Sequence, residues 1–304
     1  MDHIFTTNAL SKHYHHTKAL DGLSMHVPKG AIYGFIGRNG SGKTTLIRLL
    51  CGLQAPTGGS FQLYGTESTS PGIHLARRRL GAVIEAPSLY LGMSATDNLR
   101  QQYRILGLPS FADIPTLLAR VGLTDTGRKK AKHFSLGMKQ RLGIAMALAG
   151  HPDLLVLDEP MNGLDPQGII EMRELILRLN REEGITVLIS SHILDELSRL
   201  ATHYGIIDGG RMVKELSAAE LEAACRKCLR VRVSDIHALV RVLDARGLDH
   251  AVLDDHTADI YAELAVSALV HALDAEGCAL LSAETRDESL ESYFIALVGG
   301  EHHA

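Results

Sequence analysis

The sequence predicts an α/β fold in which a mixed sheet core carries an antiparallel flank and an inserted helical subdomain. A small C-terminal α+β domain of ferredoxin-like type is expected to follow. Three observations lead there. A glycine-rich loop, Gly37-Arg38-Asn39-Gly40-Ser41-Gly42-Lys43-Thr44-Thr45, joins the apolar run Ala31 to Ile36 to the helical spacing of Leu46, Ile47, Leu49 and Leu50. Two more uninterrupted apolar runs, Leu154 to Leu157 and Val187 to Ile189, have the character of strands buried on both faces of a parallel sheet. Beyond about residue 215, alternating and helical spacings follow each other in the order β-α-β-β-α-β.

Taken in order, Leu23, Met25 and Val27 alternate with Ser24 and His26 before the turn Pro28-Lys29-Gly30, which reads as a strand of the flank. Gly52 is placed to end the helix after the loop, and Gly58-Gly59 turns the chain into a strand at Ser60 to Gly65. Helical patterns over Asp97 to Leu106, Ile114 to Val121 and Gly137 to Ala149 form the insertion, about residues 86–150. Met172, Leu175, Ile176 and Leu179 mark one face of a helix between the two buried strands, a right-handed crossover. In the last part, Leu229, Val231 and Val233 alternate, and Ile236, Leu239, Val240 and Leu243 are helical. Ala251 and Leu253 alternate next, followed by Ile260, Ala262 and Leu264 with Tyr261 and Glu263 between them. Val266, Leu269, Val270 and Leu273 are helical, Ala279 to Ala283 closes as a strand, and Ser289 to Leu297 is a final helix.

Bulk properties narrow the function. The 304 residues suffice for two domains and a sizeable core, expected at residues 1–215 and 216–304. No stretch approaches the roughly 20 apolar residues that cross a bilayer, so a role at a membrane needs another chain to span it. The start Met1-Asp2-His3-Ile4-Phe5-Thr6 lacks a basic region and an apolar signal core, and the expectation is a cytoplasmic protein. A net charge of −4 argues against a nucleic-acid surface. The clusters Arg77-Arg78-Arg79 and Arg128-Lys129-Lys130 with Lys132 are expected to be solvated faces. Cys225 and Cys228 form a lone C-x-x-C, with no second pair from Cys51 and Cys278 to complete a zinc site.

The glycine-rich loop has the context a phosphate site requires. Gly37, Asn39, Gly40, Ser41 and Gly42 can fold a nest of backbone N–H groups around a polyphosphate, at which the next helix aims its positive end. Lys43 adds a charge near the outer phosphates, and Thr44 is placed to ligate Mg²⁺. Thr45 is either a phosphate contact or a plain helix residue. The bland alternative, a turn that merely starts a helix, leaves the full spacing between strand and helix unexplained. Asp158, at the carboxyl end of a buried strand, can hold the metal shell, which leaves Glu159 to orient or deprotonate an attacking water. Ser135 and Gly137 begin a second helix and are either an ordinary cap or part of another subunit's phosphate site. His192 also follows a strand, where a neutral imidazole can hydrogen-bond a γ-phosphate; a structural histidine is the alternative.

Together these segments resemble the ATP-binding subunits of ABC transporters. Gly37 to Thr44 stands at Walker A, Leu154 to Asp158 at Walker B with Glu159 as catalytic glutamate, and Phe134 to Met138 at the signature. Asn162 to Asp165 stands at the D-loop and Ser191-His192 at the switch histidine. The resemblance implies a P-loop NTPase cassette that uses ATP and Mg²⁺, with catalytic Lys43, Glu159 and His192. It also implies an ATP-dependent head-to-tail dimer with a second copy, and a separate transmembrane permease through which the chain meets the inner face of the membrane. Tyr14 would stack on adenine, although a flat ring in a strand also serves a core. Two positions depart from the family pattern. Leu136 replaces a signature glycine, and Glu85 replaces the usual glutamine that reaches metal or water, a ligand role a carboxylate retains. Glu85 and the C-terminal extension are similar to those of exporters that protect against bacitracin, lantibiotics and drugs, so export of a peptide antibiotic or drug is the expectation. The rivals are a soluble ABC-type ATPase and a nucleotide-dependent regulator without transport.

Overall fold

The computed structural model describes residues 2–225, 228–262 and 264–286, with 293, 294 and 297. Two units are distinguished, Met1–Ala218 and Ala219–Ala304.

In the first unit, strands β1 (His3–Tyr14) and β2 (Thr17–Pro28) form a hairpin in which Leu23, Met25 and Val27 point inward, as their alternation predicts. The phosphate-loop strand β3 (Ile32–Ile36) is buried throughout and leads to helix α1 (Lys43–Leu50). Gly52, at φ +78°, ends that helix: the N–H groups of Gly52 and Leu53 bond back to the Leu49 and Arg48 carbonyls. Strands β4 (Gly58–Leu63) and β5 (Thr66–Glu67) complete an antiparallel sheet ordered β2-β1-β4-β5. A short helix α2 (Ile73–Arg77) leads to strand β6 (Leu80–Val83).

The insertion holds helices α3 (Ala95–Leu106), α4 (Ile114–Arg120) and α5 (Leu136–Leu148). Ser94 caps α3 by accepting the Asp97 N–H, and Gly107 closes it in the left-handed conformation. The chain then runs through β7 (Leu154–Asp158), α6 (Pro166–Glu183), β8 (Thr186–Ser191), α7 (Leu194–Ser198), β9 (His203–Asp208) and β10 (Arg211–Ser217). Asp165 caps α6 from the Gly168 N–H, and Pro166 occupies the first turn, where its missing donor costs nothing. The second sheet is ordered β10-β9-β3-β8-β7-β6. Its pairings are parallel except β9 with β10.

This order assembles the site. Ile36 lies beside Ser191 and Asp158 beside Ser190, so the carboxyl ends of β3, β8 and β7 deliver the loop, the histidine and the two carboxylates to one edge. Helix α1 is held by a core that joins both sheets, including Phe5, Leu10, Leu46, Leu50, Phe61 and Val156.

One expectation fails here. Arg77 is not a solvated face: its guanidinium donates to the Leu50 and Leu49 carbonyls at 2.9 and 3.3 Å and lies over the Phe61 ring. Burial lowers its pKa. Arg79 stays exposed but pairs with Asp153 and stacks 3.9 Å from the Tyr64 ring centre. In the sequence the three cations form a charge run; in the fold the helix end beside them needs donors for its open carbonyls. Arg128, Lys129, Lys130 and Lys132 are exposed as expected.

Helix α8 (Ala218–Ala224) opens the second unit, followed by β11 (Cys228–Val233), α9 (Ile236–Ala245), β12 (His250–Val252), β13 (Thr257–Ile260), α10 (Val266–Ala275) and β14 (Leu280–Arg286). The strands form an antiparallel sheet ordered β12-β13-β11-β14. Val231, Val233, Leu239, Leu243, Ile260, Leu269 and Leu273 make its core. The strand expected over 260–264 instead ends at Ile260; the Tyr261 N–H still donates to the Asp249 carbonyl at 2.9 Å, in register with the β12–β13 ladder, and the chain leaves the sheet after it. Ala262 and Leu264 still pack on the core, which is why they imitate an inward strand face. Glu263 and most of the helix expected over 289–297 fall outside the described residues. Among the described residues no helix is long and apolar enough to cross a membrane.

Candidate functional site

The loop after β3 is shaped by what a side chain would strike. A Cβ on Gly37 would lie 2.4 Å from Ser41 Oγ and 2.5 Å from the Ile207 carbonyl, and one on Gly42, at φ +110°, would lie 2.4 Å from the Ala19 carbonyl. Glycine is therefore required twice for close backbone approach. Gly40 has open space beside it, and Arg38, Asn39 and Gly40 are exposed. The Gly37 N–H bonds the Ser191 carbonyl at 3.4 Å, which ties the loop to the end of β8. Ser41 Oγ is buried with no hydrogen-bond partner among the described residues. An orphaned hydroxyl inside an N–H-rich loop fits a ligand with acceptor oxygens.

Lys43, the first residue of α1, is 6% exposed, and its ammonium donates to the Gly37 carbonyl at 2.6 Å and the Arg38 carbonyl at 3.3 Å. It also lies 3.3 Å from Glu159 Oε1. Thr44 Oγ1 donates to Asp158 Oδ2 at 2.8 Å, and Ser190 Oγ donates to Asp158 Oδ1 at 2.6 Å. Thr45 is half-buried in the same turn. Glu159 adopts φ +50°, a conformation uncommon for a side chain of its size, held by its N–H bond to Ser190 Oγ at 3.0 Å. Its second carboxylate oxygen meets His192 Nδ1 at 2.8 Å. Lys43, Thr44, Asp158, Glu159 and His192 thus form one connected cluster of two carboxylates, an ammonium, a hydroxyl and an imidazole.

Four predicted residues sit outside the loop, the first turn of α1 and that cluster. Tyr14, at the end of β1, bonds through its hydroxyl to Gln54 and keeps a half-exposed ring with Lys12 Nζ 5.2 Å from its centre. Glu85, at φ +58°, pairs with Arg48 of α1 at 2.5 Å. It lines a groove of about 810 Å³ bordered by Pro87, Tyr90, Ile105, Leu106 and Met146. Ser135 caps α5 by accepting the Met138 N–H at 3.2 Å, and Gly137 lies in its first turn.

The sequence profile of the ABC transporter family matches residues 20–162. Over 303 residues the chain is 41% identical to the bacitracin transport ATP-binding protein BcrA of Bacillus licheniformis, an alignment that spans 99% of each protein. The chain belongs to the ATP-binding proteins of the ABC transporter family. It is 44% identical over 206 residues to the lantibiotic transport ATP-binding protein SrtF of Streptococcus pyogenes, across 68% of this chain and 87% of that one. Among solved structures it resembles cbiO1 of Clostridium perfringens, part of the ABC transporter complex cbiONQ, with a TM-score of 0.66 and 26% identity. That likeness covers 80% of this chain and 95% of the other. The chain is therefore an ABC ATPase, a cassette that binds and hydrolyses ATP as the subunit of a transporter.

Within this cassette, sequence reasoning missed Ser190 and Arg48. Ser190 serves both carboxylates, bonding the Asp158 side chain and the Glu159 backbone. The available signal was its place directly before Ser191-His192 on a strand that pairs with β7. Arg48 gave no signal beyond being a cation in the last turn of α1. Cys51, just after α1, is made inert by its surroundings: burial pushes its thiol up to about 12.

Proposed function

We propose that this cassette pairs head to tail with a second copy and drives a separate membrane permease that exports a peptide antibiotic or drug. Support for the cargo class comes from the transport roles named for the two relatives. The observation that carries the hydrolytic reading is the contact of Glu159 with both Lys43 and His192 at the edge where the phosphate loop opens.

The residues divide the work. The backbone of Gly37 to Gly42 and the Ser41 hydroxyl hold the phosphates, and Lys43 turns from the loop carbonyls toward the outer ones. Thr44 Oγ1 and the Asp158 carboxylate would hold Mg²⁺, which supplies charge neutralisation of the β- and γ-oxygens when bound. Glu159 takes the proton of the attacking water as general base, and His192 steers that carboxylate and contacts the γ-phosphate. Tyr14 offers its exposed face to adenine. Ser135 and Gly137 at the start of α5 face the nucleotide of the second copy, so each ATP is held from both sides and its cleavage reopens the dimer. The permease docks in the groove beside Glu85. The Arg48 pair links that groove to α1, whose first residues touch the phosphates, and Glu85 must leave Arg48 to reach a metal.

Light scattering on Glu159→Gln, with and without Mg-ATP, tests the composite site. The expected result is a nucleotide-dependent doubling of the 33.0 kDa chain mass that Ser135→Arg abolishes. A chain that binds ATP and stays single in both would refute the shared site.

A further inference from the structure

Glu196 stands one helical turn beyond His192 and is used by nothing described so far. It is half-buried on α7, next to Ser191, which is 3% exposed. The Ser191 hydroxyl accepts the Ile193 N–H at 3.0 Å, which closes a tight turn around His192. Its own proton has two acceptors, the Ile193 carbonyl at 3.3 Å inside that turn and Glu196 Oε2 at 3.2 Å outside it. The Ser191 carbonyl meanwhile receives the Gly37 N–H at 3.4 Å. One residue therefore joins the phosphate loop, the histidine turn and α7. Burial is the main influence on the Glu196 carboxyl and raises its pKa, and His192 and Glu159 both act on it through space.

We propose that Glu196 is a positioning residue for ATP hydrolysis: through Ser191 Oγ it fixes the turn that aims His192 at Glu159. The inference rests on the roles given to Glu159 and His192 above. Glu196 touches neither reacting atoms nor phosphates. Without its carboxylate the Ser191 proton returns to Ile193 within its own turn, and the tie from the end of β8 to α7 is lost. The nucleotide-holding contacts of Lys43, Thr44 and Asp158 do not pass through Glu196. Displacing a catalytic group by about 1 Å can cost up to about a hundredfold in rate, so a partial loosening should be felt in turnover and not in binding.

Steady-state ATPase kinetics on the full chain test this with Glu196→Ala and Glu196→Gln. Alanine should lower kcat about tenfold with KM for ATP within about twofold. Glutamine, whose amide oxygen accepts the same bond, should return kcat to within about threefold of wild type. Wild-type turnover and a silent Glu159→Gln in the same assay establish the reading on which the inference stands, and failure of either control strikes that reading instead. With both controls in place, an alanine variant as fast as wild type overturns the role of Glu196. So does a loss that glutamine fails to restore, or one in which KM and thermal midpoint worsen together, since that marks a structural residue.

Discussion

Replacing Glu159 by glutamine separates the chemistry of its carboxylate from its shape. The backbone at this position is held by Ser190 in a left-handed conformation that the amide inherits unchanged, so the side chain should enter the site as before. Of its two contacts, the bond to His192 Nδ1 at 2.8 Å survives, and the attraction for Lys43 at 3.3 Å is lost. Lys43 keeps the Gly37 carbonyl at 2.6 Å, so the phosphate-binding cation stays in place and ATP affinity should remain within about threefold of wild type. Turnover should not. A positioned general base contributes about 10²–10⁴ in rate, equivalent to about 3–5 kcal/mol of barrier. Phosphate release at saturating Mg-ATP, with equilibrium ATP binding on the same preparation, reads the two quantities apart. Turnover within about tenfold of wild type would refute the base assignment, because an amide cannot take the proton.

Three further outcomes follow from the geometry. Gly37→Ala forces a Cβ to within 2.5 Å of the Ile207 carbonyl, which cannot yield without moving β9; ATP affinity measured by titration should fall about tenfold or more, and unchanged binding would contradict the close approach. Arg77→Ala removes two donors from the end of α1 and a cation from the Phe61 ring, and should lower stability to urea by about 1–3 kcal/mol. Its KM for ATP should be unchanged, since Arg77 touches no nucleotide-binding residue. Cys51, with its thiol pushed up to about 12, carries almost no thiolate at pH 8 and should resist iodoacetamide in the folded chain while reacting once unfolded; mass spectrometry showing rapid native alkylation would contradict its burial.

The site was legible because its parts are short and chemically constrained. A nest of N–H groups tolerates few residues besides glycine, and carboxylates at the ends of buried strands announce themselves against apolar neighbours. Ser190 was harder to see, since a serine in a strand carries no chemistry until its register against Asp158 is known. The strands β9 and β10 escaped for a related reason. Gly205 interrupts the apolar pattern of β9, yet its missing side chain is what admits Tyr33, whose hydroxyl would lie 2.4 Å from a Cβ there. That hydroxyl donates to Glu215 at 2.5 Å, a residue that in the sequence marks only the point where the pattern changes. In the second unit the elements from β11 to β14 follow the expected order, after a helix α8 that the spacing did not mark. The alternation overran the end of β13 because Ala262 and Leu264 pack on the core from outside the ladder.

The departure at Leu136 is the feature that sequence alone most easily misjudges. Judged against the family pattern it is a lost glycine in a phosphate-contacting motif. In the fold, a Leu136 methyl carbon lies 3.2 Å from where Gly163, at φ +75°, would carry a side chain. A methyl carbon of Leu164 in turn lies 3.7 Å from the corresponding point on Gly137. The start of α5 and the loop that leads into α6 therefore touch through Leu136 and Leu164, closely only at Gly163, and Arg141 with Glu171 at 3.3 Å joins α5 to α6. Bulk at 136 is matched by its absence at 163. Gly137 keeps its bare backbone and Ser135 its cap, so the helix terminus retains the two groups a phosphate would need. Loss of function should accordingly follow a side chain placed at 163, where φ +75° already disfavours one and a Leu136 methyl stands 3.2 Å away, and not the leucine already present at 136.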